Sequence, residues 1–143
     1  MSENKDVKKA AFSFEKFKIN EFSFKEPSIS SDGLGIKFEP SGKHYEEEGR
    51  FELSIIFKGI EGEETSQPII DINMTAYFKF SSPIKHAEIP LYFYRNAIAI
   101  VFPYLRAFTS SLTIQANIRP VILPILNLSS LEDPLKQNTV VIA

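Results

Sequence analysis

A chain of 143 residues is long enough to bury one core, and its formal net charge of −2 carries no general nucleic-acid footprint. It has no cysteine, which excludes disulfides, thiolate zinc sites and a Cys nucleophile. The N-terminal MSENKDVKKAAFSF lacks the roughly 7–15-residue apolar core of a secretory signal, so a cytoplasmic location is expected. With thirteen Phe and five Tyr the chain is rich in aromatic surface, some of it expected to face partners as well as a closed core.

Residues 1–10 are polar and are expected to fray. From Phe12 to Phe24 apolar residues alternate as in a strand, with the phase slipping near Glu15-Lys16 and near Asn20-Glu21. Such slips predict bulges or a change of strand partner. Leu34, Ile36 and Phe38 alternate and end at Pro40, predicting a second strand, and the segment 41–49 reads as a polar turn. Phe51, Leu53, Ile55 and Phe57 predict a third strand, followed by a Gly-bearing loop over 58–68. Ile70 to Phe80 alternate as a fourth, with Asp71, Asn73, Thr75, Tyr77 and Lys79 on a wet face.

Between Ala97 and Leu128 only Arg106 and Arg119 are charged, so this stretch is expected to be buried in a core or a subunit interface. No apolar run in it approaches the ~20 residues of a membrane span. Ala97, Val101, Tyr104 or Leu105, Phe108 and Leu112 recur at helical spacing, and the helix is placed from Leu91 or Asn96 to Gln115. Pro103 inside it predicts a kink or a restart. Beyond Asn117 the chain reads as extended, pinned by Pro120 and Pro124. The pattern predicts a single α+β domain: a four-stranded antiparallel meander sheet packed by one long kinked helix, with residues 129–143 flexible or peripheral.

Phe102-Pro103-Tyr104-Leu105-Arg106, then Ser111-Leu112-Thr113, then Pro120-Val121-Ile122-Leu123-Pro124 and Asn127-Leu128 resemble the SecB family of protein-export chaperones. That family carries a Leu-Phe-Pro-Tyr-Ala-Arg helix, a turn, and a Pro-rich run ending in Asn-Phe or Asn-Leu. The bulged first strand closing at Ser23-Phe24-Lys25-Glu26-Pro27 is also similar. The resemblance implies an ATP-independent holdase for unfolded polypeptide clients, assembled as a dimer of dimers. It implies client contacts at Ile29, Leu34, Ile36, Phe38, Val121, Leu123, Ile125, Leu126 and Leu128. It also implies docking of the export motor SecA through acidic residues matching Glu21 and Asp71. Lys25 stands where the family has Glu, and the usual C-terminal extension is missing, so docking is expected to be weakened. Pro134 leaves little room for the family's second helix, which puts one wall of the client groove in doubt.

The polar positions Arg106, Thr109, Ser110 and Gln115 in the charge-poor helix are expected to make specific contacts between subunits. His44 and His86 each read as loop residues without a neighbour at metal-ligand spacing, and no cofactor or metal is expected. Glu46-Glu47-Glu48 reads as a solvated run. Tyr92, Phe93 and Tyr94 beside Arg95 read as packing in the helix lead-in, with stacking on single strands as the alternative. No constellation of acid, base and nucleophile is visible, and no enzymatic activity is expected. Two other readings stay open: a SecB-like chaperone dedicated to a toxin–antitoxin pair, and a ligand-binding α+β protein with a pocket under its helix.

Overall fold

Five strands, β1 (Phe12–Phe24), β2 (Leu34–Tyr45), β3 (Arg50–Glu61), β4 (Ile70–Phe80) and β5 (Thr139–Ile142), lie in the order β1-β4-β3-β2-β5. The computed structural model describes residues 11–26, 34–62, 67–123 and 126–143. Helix α1 (Leu91–Gln115) packs on one face of the sheet. A short α2 (Glu132–Gln137) precedes β5, and single 3-10 turns occupy His86–Glu88 and Leu128–Leu131.

The fold is α+β as expected, but the sheet is neither four-stranded nor a simple antiparallel meander. A short turn joins β2 to β3, and β4 pairs with the other side of β3. β1, though first in sequence, borders β4, and β5 adds to the other edge parallel to β2. The register of β1 on β4 shifts between Phe14 and Lys16 and between Ile19 and Glu21, where the sequence slips. Each bulge restores the phase, so Phe12, Phe14, Phe17 and Ile19 all pack toward the core.

β2 does not end at Pro40. The alternation started by Leu34, Ile36 and Phe38 continues inward through Pro40, Gly42 and His44, all three buried. The Gly42 N–H donates to the Asn138 carbonyl of the C-terminal segment at 3.1 Å. Two residues earlier Pro40 aims the same way, at an edge where β5 has not begun, and it has no N–H to leave unpaired. His44, expected in a loop, is a fully buried strand residue.

α1 runs unbroken through Pro103, so no restart occurs there. Pro103 and Ala99, whose carbonyl loses its intrahelical donor, both lie on the exposed side, where water can serve that carbonyl. The buried stripe Phe93, Tyr94, Ala97, Ile98, Val101, Phe102, Leu105, Thr109 and Thr113 closes on the sheet. By length and composition alone α1 could cross a bilayer; here that stripe is what caps β1, β3 and β4. Phe93 is the hub, its ring 4.9 Å from Phe12, 5.0 Å from Phe51 and 4.9 Å from Phe80. The helix ends in a Schellman turn: Asn117 takes φ 59°, its N–H bonds the Ile114 carbonyl, and the Ile118 N–H reaches Thr113 O.

Residues 129–143, expected to be flexible or peripheral, carry α2 and β5, and Leu135 of α2 is completely buried. Pro134 lies in the first turn of α2, where a missing N–H costs nothing. The Arg95 guanidinium clamps Glu132 through Nε and Nη2 at 2.9 and 3.0 Å and so ties α2 to α1.

Candidate functional site

The helix-facing side of β2 is where apolar surface is only half covered. Leu34, Ile36 and Phe38 point to this side and are partly buried against the core. The Phe38 ring is 6.2 Å from Phe57 and 6.1 Å from Phe102 of α1. The 3-10 turn at Leu128–Leu131 packs on α1, and α2 packs on both α1 and β2. Leu126, Leu128 and Leu131 are also partly buried and pack against the same core. Along Leu34 to Ser41 no other strand among the described residues pairs with the outer edge of β2. Half-buried apolar residues thus lie on β2, beside an edge that no described strand pairs over Leu34 to Ser41, and on the C-terminal segment, which packs on β2 through α2. That segment is one 3-10 turn and a six-residue helix, where the sequence left little room for the family's second helix.

Of the expected client-binding residues, Leu34, Ile36 and Phe38 lie half-buried on β2, and Leu126 and Leu128 lie half-buried on the C-terminal segment. Ile29 and Ile125 lie outside the described residues. Val121 and Leu123 are corrected: at 1% and 2% exposure they belong to the core. The extended segment alternates, so it is Ile122 between them that faces out, at 60% exposure.

The polar helix residues expected at a subunit contact all make hydrogen bonds within the chain. Arg106 Nε donates to the Leu123 carbonyl at 2.7 Å, and Ser110 Oγ donates to Val121 O at 3.3 Å. Thr109 is buried and bonds back to Leu105 O. Arg106 and Ser110 thus pin the extended segment to α1 within one chain, satisfying carbonyls that pair with no strand among the described residues. Gln115 is exposed and bonds Ser111. Thr113, which sequence reasoning missed, accepts the Val121 N–H at 3.0 Å in the same network. Beside it, the outer face of α1 forms an open hollow of about 360 Å3 lined by Pro103, Arg106, Ala107, Ser110, Ile114 and Ile122.

Glu21 and Asp71 do meet on the wet face of the sheet, lining one hollow of about 210 Å3 with Ser23, Ile56, Lys58 and Asn73. Lys58 stands opposite Asp71 in the β3–β4 register, so a cation is built into this acidic patch. Glu26 accepts the Arg119 N–H at 3.3 Å.

His44 is buried against Phe51 and Phe80, with the ring of His86 5.6 Å away. Neither ring nitrogen of His44 has a well-formed hydrogen bond, and the nearby Ile84 carbonyl favours the charged ring only weakly. Burial, and then the neighbouring His86, hold its pKa below the ordinary 6.5. The Tyr94 hydroxyl is buried without a partner, and burial pushes it up to about 12. Among the described residues no group of three or more His, Cys, Asp or Glu could hold a metal ion.

The Rv1957 SecB-like chaperone of Mycobacterium tuberculosis, solved with a ChAD peptide from the Rv1956 HigA1 antitoxin, superposes with a TM-score of 0.62. The match covers 81% of this chain and 90% of that one, at 18% identity. The chain shares the fold of a SecB-like chaperone. A protein of unknown function from Streptococcus agalactiae aligns with a TM-score of 0.45 at 11% identity, over 80% of this chain and 98% of that one. No family model matches the sequence. An uncharacterised protein of Methanocaldococcus jannaschii is 46% identical over 48 residues, 31% of each chain, so this chain spans about a third of that relative's length.

Proposed function

We propose that this protein is a SecB-like holdase that captures extended, unfolded polypeptide on the shelf made by Leu34, Ile36, Phe38, Leu126 and Leu128. The observation that carries the reading is half-buried apolar surface beside a length of strand edge that no described strand pairs, on a fold shared with a chaperone solved with a bound peptide. Apolar side chains would supply sequence-tolerant affinity, and an open edge suits an extended chain whose own backbone groups need partners. No step requires nucleotide, metal or a catalytic group, and we assign no enzymatic activity. Light scattering of a chemically denatured client diluted into buffer tests the reading. Suppressed aggregation without nucleotide supports it, and unchanged aggregation refutes it.

A homo-oligomer belongs to this reading, because many weak sites on one particle add through effective concentration. What favours it is the exposed side of α1, where Ala99, Pro103, Tyr104, Ala107, Ser111 and Ile114 carry no charge and Ile114 is 61% exposed. Uncharged helix surface of this extent suits a second copy of the chain. Gel filtration with light scattering distinguishes a multimer from a particle near the 16.2 kDa chain mass.

A narrower role, guarding one antitoxin, draws on a specific observation: the structural neighbour holds an antitoxin peptide. Docking to the export motor is the weaker partner assignment, since Lys58 and Lys25 dilute the acidic face. A client panel separates the roles. Capture of many denatured proteins favours the general holdase, and capture confined to the product of a neighbouring gene favours the dedicated one.

A further inference from the structure

We propose that His44 and His86 form a proton-sensitive latch that holds β5 on the edge of β2. The two histidines are the only ones in the chain, come from positions 42 residues apart, and meet ring to ring at 5.6 Å. His44 lies on the length of β2 that carries β5, in register with Val141. The Gly42 N–H before it donates to Asn138 O, and the Glu46 N–H after it donates to Ile142 O, both at 3.1 Å. The Glu46 carboxylate reaches across to accept the His86 backbone N–H at 2.7 Å. One short segment therefore carries the buried ring, the β5 ladder and the tether to the His86 turn.

The groups that face His44 are few. β3 and β4 present the uncharged rings of Phe51 and Phe80. The turn at His86–Glu88 presents His86, whose Nδ1 is itself buried without a partner, and the β2–β3 turn presents Glu46, the one facing carboxylate. The ring in register on β5 has no counterpart, only Val141. A proton on His44 thus meets an apolar wall and a second imidazole; its acceptors are the Ile84 carbonyl, which favours it only weakly, and one carboxylate that already has a donor. The charged ring gains most by reaching water. The element that yields most readily is β5, four residues long with Val140 and Val141 61% and 40% exposed, rather than β3 or β4. Release of β5 lengthens the open edge of β2 from Ser41 to Tyr45. The latch stands or falls independently of client binding.

Hydrogen exchange read by NMR on the full chain tests it. For one proton taken up on opening, the opening constant rises by up to about tenfold per pH unit below the ordinary imidazole value. The Gly42 and Glu46 amides, corrected for intrinsic exchange, are expected to lose protection as pH falls from 7.5 to about 5, while Leu53 and Ala76 stay protected. His44→Phe removes the dependence, and His86→Phe, which spares the strand, weakens it should the first variant fail to fold. Protection at Gly42 and Glu46 that is flat with pH overturns the proposal. So does loss shared equally by Leu53 and Ala76, or a pH response that a chelator abolishes, which would mean a metal bridges the pair.

Discussion

The Thr113 hydroxyl accepts the Val121 backbone N–H at 3.0 Å and lies within bonding distance of the Thr109 and Ser110 carbonyls. One side chain near the end of α1 thereby holds the first buried residue of a segment that has no sheet of its own. Thr113→Val keeps the shape and strands a buried N–H, so a loss of about 1–3 kcal/mol is expected in urea unfolding. Thr113→Ser keeps the hydroxyl and should lose clearly less. Equal stability of Thr113→Val and wild type would show that the network is dispensable.

Gly42 is the most tightly enclosed of the described glycines. A Cβ there would lie 2.5 Å from Phe51 Cζ and 2.8 Å from Thr139 Oγ1. Gly42→Ala should cost about 1–3 kcal/mol by overpacking and loosen β5 before the rest of the sheet. The check is thermal unfolding together with proteolysis of the C-terminal segment. A variant as stable and as protease-resistant as wild type would contradict this packing.

Much of this architecture was legible from alternation and much was not, and the division has physical causes. The two bulges of β1 were visible because Phe12, Phe14, Phe17 and Ile19 must all return to one face, and only an extra residue allows that. The second half of β2 was hidden because Pro40 and Gly42 read as turn residues, although the period-two pattern runs on to His44. β5 was hidden because four residues carry too little pattern and its pairing is parallel and remote in sequence. At the site, Leu126 and Leu128 were readable as apolar. Arg106, Ser110 and Thr113 were not readable as braces, because their acceptor and donor are backbone groups that composition cannot show.

Tyr94 offers a test with the opposite sign. Its hydroxyl is fully buried without a hydrogen-bond partner, and its ring packs 6.1 Å from Phe51. Tyr94→Phe removes an unsatisfied polar group and keeps the ring, so stability should hold or rise by about 1 kcal/mol. A clear loss in urea unfolding would reveal a partner for that hydroxyl.

The mixed charge around Glu21 and Asp71 bears on motor docking. With Lys58 opposite Asp71, titration with the basic C-terminal peptide of SecA at physiological salt should give weak binding that fades further as salt rises. Lys58→Glu should strengthen it. Micromolar or tighter binding by wild type, lost in Glu21→Ala or Asp71→Ala, would show a working docking face.

The proposed shelf and the core differ in one respect that mutation can read. Leu123 is 2% exposed and Leu123→Ala should cost about 2–5 kcal/mol, whereas Leu126 and Leu128 are only partly buried. The most direct measurement is suppression of aggregation by the Leu126→Ser/Leu128→Ser variant against wild type, with circular dichroism and particle mass followed on the same samples. The account predicts that wild type keeps a denatured client in solution and that the variant, still folded and assembled, lets it aggregate. A folded variant that protects as well as wild type, or a wild type that never protects, would contradict it.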